Sequence, residues 1–251
     1  FPDTSNGKQT DFFFMQIEEP EQVAETIVKL VKERLPKAYK RPASDIQVLT
    51  PMQRGVVGAA NLNTALQAVL NTSQLALNRS GYSFRQGDRV MQLRNNYDKD
   101  VFNGDLGYVE KVNLEDRTLQ VDFDGKLVEY EVSELDELTL AYATTIHKAQ
   151  GSEYPIVVMP VLMTHYVMLQ RNLIYTGITR AKKICVLVGT KKALSFAIRN
   201  MSVLKRNTKL KERLNPALTQ SGSATQPKEY VLPTQTEYGM VAEERIQYGK
   251  K

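Results

Sequence analysis

Residues 84–137 break the texture of this chain. Four short alternating runs, "DRVMQLRN", "LGYVEKVN", "TLQVDFD" and "LVEYEV", follow one another with no helical stretch between them. Asp124-Gly125 lies between the last two. That pair is a strong hairpin signal, because a two-residue turn between twisted strands needs left-handed backbone at both central positions. Such runs bury their apolar positions by forming a small antiparallel β-barrel or sheet.

The flanks read differently. Residues 20–35, "PEQVAETIVKLVKERL", repeat Val23, Ile27, Leu30, Val31 and Leu35 at helical spacing behind an N-terminal Pro and Glu. "IQVLTP" (46–51) is a strand ended by Pro, and "NLNTALQAVLN" (61–71) returns to a helical period. After residue 137 the spacing predicts a strand at 138–143, a turn with a short helix in "TTIHKAQG" and a strand at 155–161. It then predicts a helix at 167–181, a strand at 184–189 and a helix at 191–201. Continuous apolar strands alternating with helices imply a mostly parallel sheet with helices on both faces. The expected architecture is therefore α/β, over residues 1–83 and 138–204, interrupted by an antiparallel insertion at 84–137. Residues 205–251 turn polar, as a flexible tail does.

Composition sets the outer bounds. At 251 residues, 42% hydrophobic and 24% charged, the chain can hold a real core, and no run approaches the roughly 20 apolar residues of a membrane span. "FPDTSNGKQT" is no signal peptide. The single cysteine, Cys185, cannot form an internal disulfide, which suits a reducing cytoplasm. A net charge of +5 favours a polyanionic partner. The chain begins with Phe1 and not Met, as expected of a piece of something longer.

Candidate chemistry collects where strands and helices end. "TTIHKAQGSE" (144–153) offers hydroxyls at Thr144, Thr145 and Ser152, the ring of His147, and an unhindered backbone at Gly151. Such groups hold sugar-phosphate oxygens without reading a base sequence. Glu153 can accept hydrogen bonds from a ribose. The competing reading is a helix N-cap at Thr144 or Thr145 beside a structural histidine. Arg180, in "GITRAKK", and Arg54, in "LTPMQRG", are candidate phosphate contacts, against solvated turns and helix ends. "LRNNYDKDVFNGDLG" (93–107) groups Asn95, Asn96, Tyr97, Phe102 and Asn103, and exposed aromatics there could stack on bases for about 1–3 kcal/mol each. Basic residues also cluster at 205–213. "NGKQT" (6–10) fails as a phosphate-binding P-loop, since Pro2 and Gln9 stand where Gly and Ser or Thr are needed. Nothing supports a metal centre, with no second His or Cys near His147.

Taken in order, these segments resemble superfamily 1 helicases of the RecD/TraA-like branch. "LTLAYATTIHKAQGSEYPIVVMP" looks like motif V, "LIYTGITRAKKICVLVG" like motif VI, and "VLTPMQRGVVGAANLNTALQ" like the motif IV region. "FRQGDRVMQLRNNYDKDVFNGDLGYVEKV" is similar to the SH3-like barrel carried inside the second motor domain of that branch. The resemblance implies a RecA-like second motor domain with an SH3-like insertion, ATP and Mg2+ as cofactors of the full-length protein, and 5′-to-3′ movement on single-stranded DNA. It implies Arg180 as the arginine finger, Arg54 as a second phosphate contact, and Glu153 with Gly151 at the nucleotide. Thr144, Thr145, His147 and Ser152 would face DNA, joined by Asn95, Asn96, Tyr97 and Asn103 of the insertion. Motifs I and II are missing, so the chain is expected to act with an N-terminal motor domain of the same protein and to be inactive towards ATP alone. Two other readings stand beside this one. A non-catalytic nucleic-acid-binding module would work through the insertion and basic tail, and a phosphate-ligand α/β enzyme would have its own chemistry.

Overall fold

The computed structural model describes residues 10–79 and 81–200. The "NGKQT" segment up to Gln9, the basic cluster at 205–213 and the polar tail lie outside the described residues.

Five strands form one parallel sheet: β1 (Phe12–Gln16), β2 (Ile46–Thr50), β10 (Ala143–Thr145), β11 (Tyr154–Val161) and β12 (Ala181–Gly189), in the order β1-β12-β11-β2-β10. Both faces are covered. On β11, Ile156 and Val158 point into a core with Val23, Ile27, Leu62 and Leu66, from α1 (Pro20–Lys29) and α3 (Ala59–Leu70). Val157 and Met159 point the other way, against Leu173, Ile174 and Leu194 of α4 (Arg171–Ile178) and α5 (Lys191–Arg199). Two buried faces explain why these strands read as unbroken apolar runs.

Several elements differ from expectation. β1, in "FFFMQ", adds an edge strand at a point where the sequence reading assigned no element. The first helix continues through a π turn (Leu30–Arg34) into α2 (Leu35–Tyr39). Pro36 has no N–H for the α-helical bond and crowds the preceding turn, which the wider π turn accommodates. In "TTIHKAQG" the two threonines close β10 and residues 146–151 form consecutive turns without a helix. The helix expected at 167–181 is only α4: Leu169 is fully buried, and Asn200 Nδ2 holds its carbonyl at 2.9 Å, so helical winding starts later. Arg180 thus lies in the turn between α4 and β12.

The antiparallel part is larger than 84–137. It holds the hairpin β3 (Ala76–Arg79) and β4 (Tyr82–Arg85) and a five-stranded sheet ordered β8-β7-β6-β5-β9. Those strands are β5 (Arg89–Gln92), β6 (Leu106–Asn113), β7 (Thr118–Phe123), β8 (Lys126–Glu131) and β9 (Leu138–Leu140). Leu77 and Phe84 of the hairpin share one core with Val90, Val109, Leu119 and Tyr130. At the β7–β8 turn, Asp124 (φ 52°) and Gly125 (φ 91°) are both left-handed, as the sequence predicts. The run 138–143, expected as one strand of the main sheet, splits. Leu138–Leu140 pairs with β5, and the main-sheet strand starts only at Ala143.

Polar side chains clamp that split. Gln47 Nε2 donates to the carbonyls of Ala141 and Tyr142, and Asn63 bonds Leu140, Ala143 and the Ala143 N–H. Beside them Asp88, with no exposed surface, accepts from Gln67, Asn71, the Arg85 N–H and the Tyr142 hydroxyl. Burial and then the Asp88 charge hold the Tyr142 phenol well above its usual range. The carboxylate thus joins α3, the insertion and the approach to β10. Asp88→Ala removes the acceptor of four donors, one buried and three half-buried, and is expected to cost about 3 kcal/mol in urea unfolding. Asp88→Asn recovers only part of it, since its amide sets a donor against donors.

The second histidine, His165, is 3% exposed, and burial pushes its pKa down to about 4. Between that value and the unfolded one near 6.5, the unfolded chain binds the extra proton. Stability is therefore full above about pH 6.5 and falls as pH drops towards 4, with a slope approaching about 1.4 kcal/mol per unit from this group. Unfolding of wild type and His165→Gln compared across that range is expected to show the slope only in wild type.

Candidate nucleotide and nucleic-acid site

β10 and β11 are parallel and lie on opposite sides of β2, so the chain between them must return from the far edge of the sheet to the near one. Segment 146–153, the heart of "TTIHKAQGSE", makes that crossing with turns alone. Ile146 and Ala149 anchor it in the core beside Leu49 and Met159. Gly151 (φ 88°) takes the left-handed corner at the end, with open space where a side chain would stand.

At the near edge, two motif ends are laced together. The Tyr154 N–H donates to the Arg180 carbonyl at 2.8 Å, and Arg180 Nη1 donates to the Ser152 carbonyl at 3.1 Å. Glu153 and Lys182 pair at 3.7 Å, each about half exposed. Arg180 also donates from Nε to the Thr176 carbonyl and from Nη2 to Thr179 Oγ1. These bonds occupy three of its five N–H groups and leave one on each terminal nitrogen, the fork that suits phosphate oxygens. A register shift helps to aim it. Tyr154 pairs with Ala181 but Ile156 with Ile184, so β12 carries an extra residue opposite Pro155. Proline lacks the ladder N–H and is tolerated inside a sheet at such a bulge, and bulges re-aim side chains beside active sites.

The far edge holds a second group. The Ile146 N–H donates to the Thr50 carbonyl, which places Thr145 and the exposed His147 beside the turn 51–58 that carries Arg54. Thr145 Oγ1 accepts from the Lys148 N–H. The structure therefore unites Ser152, Glu153, Gly151 and Arg180 at one edge, and Thr145, His147 and Arg54 at the other. Arg54 follows the end of β2 and Arg180 precedes the start of β12, so the two arginines leave the parallel sheet at opposite ends of its strands. Thr144 stands apart from both groups. It is 3% exposed, and its hydroxyl is buried without a partner among the described residues, so it offers nothing to a ligand at the surface.

In the insertion, Asn95 Oδ1 accepts the Asn103 N–H, while Asn96 accepts from Lys99 and donates to Glu137. Those amides brace the loop, and it presents Tyr97, 76% exposed, edge-on to Phe102 at 6.1 Å, with Asn103 exposed beside them. Sequence reasoning passed over Tyr154 and Arg89. Two charged residues opening the run "DRVM" were the available signal, since charged residues are rarely buried without a task.

The chain matches the model of the UvrD-like helicase C-terminal domain over residues 140–188. Residues 62–123 match the ATP-dependent RecD-like DNA helicase SH3 domain. It is 42% identical over 169 residues to the ATP-dependent RecD2 DNA helicase of Deinococcus radiodurans, covering 67% of this chain and 23% of that protein. It is 29% identical over 178 residues to the RecBCD enzyme subunit RecD of Haemophilus influenzae, covering 68% and 26%. Among solved structures it is similar to the Pif1 helicase from Bacteroides in complex with ADP-AlF3 and ssDNA, with TM-score 0.44 and 17% identity over 94% of this chain and 55% of that one. The chain belongs to the C-terminal region of the RecD-like superfamily 1 helicases and carries their SH3-like insertion. It spans about a quarter of the length of these curated relatives. Among the described residues no helix is long and apolar enough to cross a membrane.

The Glu153–Lys182 pair contributes little to folding, because both side chains are solvated. Glu153→Gln is expected to shift unfolding free energy by under about 1 kcal/mol, measured in urea.

Proposed function

We propose that this chain is the second motor half of an ATP-dependent 5′-to-3′ DNA helicase. In this reading it supplies the arginine finger and part of the single-strand track, and an N-terminal motor half supplies the P-loop and does the rest of the nucleotide binding. Arg180, with its free fork, meets the γ-phosphate and offsets charge that builds during transfer. Glu153 lies beside it and takes the sugar, with Gly151 setting the corner. Thr145 and His147 hold the strand's backbone at the opposite edge, and Arg54 joins them as a contact to strand phosphate. Ser152 keeps a role through its carbonyl, which holds Arg180. Among the described residues no three His, Cys, Asp or Glu side chains gather, so nothing here is assigned to Mg2+.

The observation that supports the reading is the crossing of segment 146–153, whose ends are fixed in the two groups. A shift at the nucleotide edge therefore pulls on the same short chain that ends at the strand edge. Joined to its upstream half, the protein is expected to show ATPase stimulated by single-stranded DNA, and Arg180→Ala to lower it by about 10³-fold or more. Full activity in that variant would remove the assigned role. The exposed Tyr97–Phe102 pair favours a second reading, a non-catalytic nucleic-acid-binding module. That reading requires tight, salt-dependent DNA binding by this chain alone, indifferent to Arg180→Ala.

A further inference from the structure

The insertion is rooted at the arginine edge of the sheet. Arg89, the first residue of β5, is 8% exposed, and Nη1 donates to the Ser44 carbonyl at 3.2 Å and towards the Ile46 carbonyl at 3.5 Å, where β2 begins. Its guanidinium carbon stands 5.7 Å from the centre of the Tyr154 ring. Tyr154 is itself 5% exposed and gives its N–H to the Arg180 carbonyl. Leu106 of β6 packs against the core cluster that holds Tyr154, so the insertion meets the core of the main sheet a second time.

An arginine is a costly residue to bury, and this one is incompletely satisfied: Nε has no partner among the described residues. A leucine would fill the same space without that penalty. Its distinct property is a cation laid on an aromatic face. That face belongs to the residue whose backbone fixes Arg180.

We propose that Arg89 is a positioning residue for the motor, acting through the Tyr154 ring to hold Arg180 in register with the insertion. When the insertion shifts, as on engaging a strand, the contact carries the shift to the arginine edge through the first residue of β11. Burial raises the Tyr154 phenol while Ser152, Arg89 and Arg180 pull against it, so the ring feels both guanidinium groups. This proposal rests on the reading of Arg180 as the arginine finger.

The test uses the full-length protein with both motor halves, measuring ATP turnover on saturating single-stranded DNA. Arg89→Ala is expected to lower kcat by about tenfold to a hundredfold, as a misplacement of about 1 Å does, with KM for ATP held within about twofold. Tyr154→Leu should lose the same amount, and the double variant no more than either single one, because both break one contact. Arg89→Lys, which keeps a cation on the ring, and Tyr154→Phe, which keeps the ring, should each recover most of the loss. They also serve where Arg89→Ala fails to fold. If Arg180→Ala abolishes turnover while Arg89→Ala and Tyr154→Leu leave kcat unchanged, this proposal is wrong and the motor reading survives. If Arg180→Ala is silent, both fall. A loss in Arg89→Ala that Arg89→Lys fails to recover would also overturn it.

Discussion

Two parallel strands cannot be joined by a tight turn. The chain that leaves one at the far edge of the sheet must travel its whole length before entering the next. Most such connections spend a helix on the return. Here the return from β10 to β11 is made by turns, with Ile146 and Ala149 pressed into the core and polar groups left at both ends. The polar density of "TTIHKAQGSE" follows from that geometry. A segment that touches both edges needs hydrogen-bonding capacity at both, and apolar anchors only between them.

The insertion obeys the opposite constraint. An antiparallel sheet with its own core could hang from the motor by two flexible strands of chain. Instead its exit is gripped by Gln47 and Asn63, and its entry by the Asp88 carboxylate and its four donors. These are buried, directional bonds, which lose most of their value when distorted. The barrel is fastened as a rigid lever, and Arg89 and Leu106 touch the motor beyond the fastening.

Much of this was legible in the sequence because it rests on local chemistry. Asp124-Gly125 announces its turn, since few other pairs tolerate two left-handed residues, and "PIVVMPV" announces a strand buried on both sides. What was hidden depends on partners distant in the chain. β1 becomes a strand through pairing with β12, far along the sequence. The run 138–143 is continuous in hydropathy, yet it serves two sheets, because the split is imposed by Gln47 and Asn63. The candidate site divides in the same way. That Arg180, Glu153 and Ser152 meet follows from the β11–β12 pairing, and no periodicity separates them from Arg54. Thr144 looks as polar as Thr145 in the sequence, but strand alternation turns one hydroxyl inward and leaves the other near the surface.

The bulge opposite Pro155 adds one residue to β12 without a matching one in β11. Because side chains alternate faces with a period of two, that single residue sets which way everything before it points, Arg180 included. Residues 181–183 therefore act as a counted spacer, whose length matters more than its chemistry. Lys182 and Lys183 are exposed and replaceable in kind, yet deleting either would turn the guanidinium away from the edge where it now lies. Selection on such a stretch would act on the reading frame of the fold. Substitutions would drift there freely while gaps stayed absent.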